Sequence, residues 1–252
     1  DTRLSHMNPR DTWDKERGRI YRVCGRPARA LGSMQRAVKL AQQAGERRLE
    51  LEATARLGGL LLDLNQPEEA ETRLRVALLI AGEIEDRRGQ TLALLWLGTL
   101  LWEQGEANAA SVLDRALRLA NEMGLERAEA LALAIRSRIE REAGRTEQAL
   151  EQSERALGLM SAQGAELPDR IVVVGTRALV LEAVGRHDEA EELIAGLRRR
   201  VKRDNERIGN ETLRKAHASA TSRLLEAVLS PLGVIYPRVS ADVVVSDAAR
   251  ES

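Results

Sequence analysis

Asn65-Gln66-Pro67-Glu68-Glu69-Ala70 is the phrase on which the reading of this chain turns. It recurs in altered form as Gly25-Arg-Pro-Ala-Arg-Ala30, Gly105-Glu-Ala-Asn-Ala-Ala110, Gly144-Arg-Thr-Glu-Gln-Ala149 and Gly185-Arg-His-Asp-Glu-Ala190. The leading turn residues stand 40, 40, 39 and 41 positions apart. A fixed period of this length marks a repeat architecture, in which each unit buries its apolar face against its neighbours. A second alanine follows at Ala37, Ala77, Ala116 and Ala156, with Leu197 in the last copy. In the third copy Ala109 and Ala110 both fit the first alanine.

Upstream of each turn the apolar residues have helical spacing, as in Ala53, Leu57, Leu60, Leu61 and Leu64. Small residues recur in the middle of these stretches, at Gly18, Gly58, Gly98, Ser137 and Ala178. A glycine inside a helix costs about 1 kcal/mol relative to alanine, so its return calls for a packing reason. Close approach of a facing helix supplies one. Each unit is therefore expected to be two antiparallel helices, with Gly or Asn ending the first in a left-handed conformation. Pro27 and Pro67 fall in the first turn of the second helix, where a missing N–H is tolerated.

The spacing predicts helix pairs at 10–24 and 27–44, 48–64 and 67–83, 88–103 and 106–123, 126–143 and 146–163, and 168–184 and 187–207. Gly45, Gly82, Gly124, Gly164 and Pro168 mark the links. The domain plan is an N-terminal extension at 1–8, an array over 9–207, a capping helix at 210–229 and a tail at 230–252. Asn210 is placed to cap that last helix, which would cover the end repeat. The tail is β-branched without helical period, an extended arm or disorder.

These marks resemble the tetratricopeptide repeat (TPR) family over about residues 9–206. Leu57-Gly58 and Leu97-Gly98 match the family's Leu-Gly pair, and Tyr21 matches the aromatic that follows Gly18. The family's usual tryptophan and terminal proline are missing, and Arg17, Arg136 and Arg177 stand where leucine is usual. The period exceeds the common one, as in longer-helix relatives in bacterial regulators and cell-polarity adaptors. The resemblance implies an all-α, right-handed superhelical solenoid of about five hairpins. It also implies a concave groove lined by the first helix of each pair.

Composition supports helix and narrows function. Aromatic residues make up 2% of the chain and phenylalanine is absent. With 39 basic and 39 acidic side chains, there is no cationic excess of the kind a phosphate-neutralising protein shows, so nucleic acid is not expected as a partner. No apolar run approaches the roughly 20 residues of a membrane helix, no leader opens the sequence, and Cys24 is the single cysteine. A cytoplasmic protein without membrane contact is expected. Asp1 at the start suggests a processed chain or a piece of a longer one.

Catalytic motifs are not found. Gly58-Gly59 lies in a helical pattern rather than after a strand, and His6, His187 and His217 are scattered without metal-ligand spacing. Cys24 reads as a small buried residue. The expected function is non-catalytic capture of a protein or peptide, with no cofactor or metal. The alternative is a sensory or regulatory module of a larger bacterial signalling protein, with an enzyme a distant third. Counting outward from the small residues puts Arg19, Arg22, Arg56, Trp96, Thr99, Trp102, Arg138 and Arg141 on the groove. Tryptophan and arginine carry much of the binding energy at interfaces, so an acidic or amphipathic segment is the expected partner. The competing reading has the tryptophans filling space between helices and the arginines solvated or lying over apolar surface. Leu213, Leu224, Leu225, Val228 and Leu229 also give the last helix an apolar side that could mediate self-association.

Overall fold

A computed structural model describes residues 27–160 and 167–230. The expected first helix at 10–24, the extension at 1–8, Cys24, Gly164 and the tail from 231 onward lie outside these residues. Among the described residues every regular element is an α-helix. In chain order they are α1 (Pro27–Ala44), α2 (Arg47–Asp63), α3 (Pro67–Glu83), α4 (Arg87–Glu103) and α5 (Ala109–Glu122). There follow α6 (Glu126–Glu142), α7 (Thr146–Met160), α8 (Leu167–Ala183), α9 (His187–Glu206) and α10 (Glu211–Leu229). The first helices of the described hairpins are α2, α4, α6 and α8, and the second helices are α3, α5, α7 and α9. The fold is an all-α array of tetratricopeptide-like hairpins.

The first helices end by one rule. Asn65, Gly105, Gly144 and Gly185 all have positive φ, between 56° and 78°. The next residue then donates its N–H back to a carbonyl in the helix just ended, as Gln66 to Leu61 at 2.9 Å and Arg186 to Leu181 at 3.0 Å. This closes the last turn and satisfies a carbonyl that the helix leaves over. Links between hairpins use the same device at Gly45 and Gly124. Gly82, expected to mark a link, instead stays inside α3, and Glu85 takes the left-handed residue at φ 54°. The reason is the next cap. Asp86 Oδ1 accepts from the N–H groups of Arg88 and Gly89 at 3.0 Å, which fixes where α4 begins and so where the turn must fall.

The third hairpin resolves its own ambiguity. Ala109 is buried and Ala110 is half-exposed, so Ala109 is the counterpart of Ala70. Helix α5 starts there, three residues later than expected. Pro67 presets a helical φ at the start of α3, whereas the third unit has Ala107-Asn108 in a turn at that point.

Two compact units make up the described chain, one ending at Trp96 and one beginning at Leu97. In the first, Leu51 and Ala55 of α2 share a core with Ala77, Ile80 and Ala81 of α3 and Ala93 of α4. In the second, α6 packs on α7 and on α8, α7 on α8, and α8 on α9. The mid-helix glycines mark the tight points. A Cβ on Gly58 would stand 2.6 Å from Leu74 Cγ, and one on Gly98 would stand 2.6 Å from Leu113 Cγ. The facing second helix therefore fits its leucine against bare backbone.

Helix α10 packs on α8 and α9. Asn210 Oδ1 accepts the Leu213 N–H at 3.0 Å and starts the helix. Its stripe His217, Thr221, Leu224 and Val228 is buried, and Leu229 packs with Ala178, Leu181 and Ala190. His217 Nδ1 meets Asn205 Oδ1 of α9. Burial holds the His217 pKa below its ordinary 6.5, against a smaller opposing pull from the Asp204 carboxylate.

Two outcomes follow from this packing. Gly98→Ala is expected to destabilise by about 1–3 kcal/mol through overpacking against Leu113, even though alanine is the better helix former. Gly82→Ala, where an added Cβ meets nothing, should be neutral or stabilising by up to about 1 kcal/mol. Urea midpoints of the two variants check the pair; equal shifts would contradict the close approach at Gly98. The second outcome concerns pH. Because the folded state depresses the His217 pKa, its contribution is complete above the unfolded value near 6.5 and is lost as pH falls through the lower folded value. Stability should therefore drop on acidification from pH 7 toward 5, more in the wild type than in His217→Gln. Parallel pH profiles of the two proteins would remove this account.

Candidate functional site

The first helices meet one another along seams, and the register of the repeat says which side chains oppose. Gly59, Thr99, Arg138 and Leu179 each follow the mid-helix small residue, while Arg56, Trp96, Ile135 and Thr176 each precede it by two. In the first unit Trp96 of α4 lies over Gly59 of α2, where an added Cβ would come within 2.8 Å of the indole. In the second unit Arg138 of α6 meets Thr176 of α8, its Nε donating to Thr176 Oγ1 at 3.0 Å. A large side chain faces a small one in both seams, but the large one comes from opposite sides. Volume is conserved across the seam while chemistry changes from indole to guanidinium.

Arg138 is enclosed, at 1% exposure. Its Nη2 donates to the Val228 carbonyl at the end of α10. Its guanidinium carbon lies 5.7 Å from the centre of the Trp102 ring, within reach of a cation–π attraction. Burial, reinforced by the Arg141 charge, pulls the Arg138 pKa down to about 10, with Glu142 and Glu103 pulling the other way. The group stays charged at neutral pH.

Trp102 is half-buried on the same side. Its indole Nε1–H donates to Glu142 Oε2 at 2.9 Å. Arg141 Nη2 stands 3.9 Å from the other oxygen of that carboxylate. Trp102, Arg138, Arg141 and Glu142 thus form one cluster at the ends of α4 and α6. Its partly accessible members are the indole, Arg141 and the carboxylate.

The expected groove residues divide on these facts. Trp102, Arg138 and Arg141 come together. Arg19 and Arg22 lie outside the described residues. Thr99 is fully buried, and Trp96 is buried against Gly59 as a space-filling residue. Arg138, placed on the groove by register, is instead enclosed because α10 covers it. Arg56 folds along its own helix onto Glu52, with Nη2 to Oε1 at 3.0 Å. Glu142 went unremarked in the sequence, although it stands 40 residues after Trp102, one repeat period away. Adjacent first helices bring residues one period apart side by side, and that was the available signal.

The arginines that break the leucine pattern are used between hairpins. Arg136 Nε donates to Asp114 Oδ1 of α5 at 2.8 Å and pairs with Glu140 at 2.7 Å. Arg177 Nη1 donates to the Leu150 carbonyl at 2.9 Å and to Ser153 Oγ at 3.0 Å, both on α7. Among the described residues no group of three or more His, Cys, Asp and Glu could hold a metal ion, and no helix is long and apolar enough to cross a membrane. Among the described residues the exposed large apolar side chains lie elsewhere, at Val76 and Leu79 of α3, the latter 68% exposed.

Arg138→Ala is expected to cost about 2–4 kcal/mol, because it opens a cavity and strips a donor from the Val228 carbonyl. Arg138→Met keeps the volume without the charge and should recover a good part of that loss. Urea midpoints measure both; an Arg138→Ala protein as stable as wild type would show that the side chain is not enclosed as described.

No family model matches the sequence, and no curated protein matches it. Solved structures do. A Rap protein complexed with Competence and Sporulation Factor aligns with a TM-score of 0.62 at 16% identity, over 88% of this chain and 64% of that one. The nearly identical TPR-like repeats of a Podosopora anserina kinesin light chain give 0.53 at 17% identity, over 76% and 96%. BtubC from P. vanneervenii gives 0.53 at 16%, over 83% and 95%. At these identities the likeness speaks to the fold, and it agrees with the repeat read from the sequence: the chain has the tetratricopeptide-like helical-repeat fold.

Proposed function

We propose that this chain is a non-catalytic scaffold that holds a segment of another protein against the face presented by its first helices. The observation that carries the reading is the cluster at Trp102. A half-buried indole with its N–H on Glu142, flanked by Arg141, offers an apolar surface with charges of both signs at its rim. Side chains of this kind, partly desolvated and held in place by neighbours, are those on which binding energy concentrates. The Rap protein, solved in complex with Competence and Sporulation Factor, supports a partner-holding use of this fold.

Of the acidic and amphipathic segments expected as partners, the second fits the arginines better. Arg56 is engaged by Glu52, Arg138 is enclosed, and Arg141 stands beside Glu142. These arginines do not present a cationic strip for an acidic peptide. An amphipathic segment with an apolar residue for Trp102 and mixed polar flanks fits better, in the helix-in-groove manner.

The test is affinity capture of a partner by the purified chain, compared with Trp102→Ala and Leu79→Ser. Truncation of an interface anchor typically costs 2 kcal/mol or more, so Trp102→Ala should weaken capture at least about 30-fold while Leu79→Ser leaves it unchanged. Undiminished capture by a folded Trp102→Ala protein rejects the site. Loss of capture on Leu79→Ser alone moves it to the exposed side of α3.

A further inference from the structure

Helix α10 is held differently from the helices beneath it. Its buried stripe is His217, Thr221, Leu224 and Val228, half of it polar. Helix α8 buries Ile171, Val172, Val173, Val174, Val180 and Leu181 among others. Since stabilisation scales with apolar area removed from water, α10 is the more weakly anchored of the two. It is joined to α9 by the non-helical residues 207–210.

What receives its C-terminal end is specific. Gly175 of α8 leaves a notch that Val228 fills, since a Cβ there would overlap Val228 Cγ1. Beside the notch, Arg138 donates to the Val228 carbonyl. That carbonyl is one of the last four that a helix leaves without an internal donor, and a cation is favoured at that end of the helix dipole. Notch and cation together read the terminus of a helix: a β-branched side chain for the glycine and a last-turn carbonyl for the guanidinium. The receiving surface belongs to α6 and α8, the same first helices whose face is proposed above to hold a partner.

We propose that the α6–α8 seam around Gly175 and Arg138 is a docking site for the C-terminal end of an amphipathic helix, and that α10 occupies it as a displaceable stand-in for the partner's helix. The proposal rests on the reading of the first-helix face as the partner surface. The incoming helix carries small or apolar residues at the spacing of 217, 221, 224 and 228, with a valine-sized one at the last position. It ends within a turn of that residue, so that its final carbonyls reach Arg138. While α10 is docked, the partner must displace it, and the exchange sets the apparent affinity.

The probe is a fluorescent peptide of residues 211–229, acetylated and amidated, titrated by anisotropy against the full chain. Val228→Lys in the chain sets a like charge beside Arg138 to undock its own α10 and leaves Gly175 and Arg138 in place. The peptide should bind Val228→Lys at least tenfold more tightly than wild type, and adding Gly175→Val should lose at least that factor. Equal binding to wild type and Val228→Lys, no binding to a folded Val228→Lys chain, or indifference to Gly175→Val would each overturn the proposal. Should Val228→Lys lack the helical far-ultraviolet signal, hydrogen exchange of the wild type decides. Amides of α10 should then exchange at least tenfold faster than those of α8, and one common rate overturns the proposal. If the peptide results hold while Trp102→Ala leaves partner capture intact, the docking site stands and only the Trp102 reading fails.

Discussion

Close approach of two helices at a residue without a side chain is the constraint on which the rest of this structure depends. At Gly58 and Gly98 the facing leucine rests against backbone, which fixes how near the second helix lies and where along the first it crosses. The turns can be uniform only because this crossing point is uniform. Where the small residue is Ser137, the pattern changes on both sides. Ser137 turns its hydroxyl to its own Ala134 carbonyl, and Ser153 stands where Leu74 and Leu113 stand in the earlier hairpins. Arg177 enters there and donates to Ser153 and to the Leu150 carbonyl. An apolar knob has been exchanged for a hydrogen-bonded one, and the period is kept.

The seams between first helices obey a second constraint, that volume must balance across them. Gly59 faces Trp96 in one seam and Arg138 faces Thr176 in another, large against small in both. Packing density tolerates either arrangement, but the chemistry does not transfer. An indole asks for one acceptor at its N–H and otherwise for apolar neighbours. A buried guanidinium needs acceptors, and Arg138 finds them in Thr176 Oγ1 and the Val228 carbonyl. Choosing arginine for the large member therefore ties the seam to a helix far along the chain.

The hairpins, their period and the turn residues were legible because each depends on local chemistry: glycine or asparagine at a left-handed turn, proline at a first turn, small residues at a crossing. Positions such as Glu85 were not, since a non-glycine in the left-handed region is imposed by the neighbouring Asp86 cap rather than by its own preference. Register alone assigned Trp96, Trp102 and Arg138 to the groove. It could not say that Trp96 is consumed in packing over Gly59 while Trp102 stays partly open. That distinction lies in the residue opposite, one repeat away, and pairing residues across a 40-residue offset recovers it, as Trp102 with Glu142 shows. The cover over Arg138 was out of reach even so, because the offset rule ends where the repeat ends.

A terminal helix that only shielded apolar surface would need a greasy stripe and nothing more. The buried stripe of α10 includes a histidine and a threonine, and its last turn is received by a glycine notch and a guanidinium. Such reception is costly to arrange and gives direction and register rather than bulk adhesion. The seam and the helix end specify each other through one carbonyl and one β-branched side chain. Every helix end offers such a carbonyl, and a β-branched residue within a turn of the end selects among them, so the seam's chemistry is addressed to a kind of segment rather than to α10 alone.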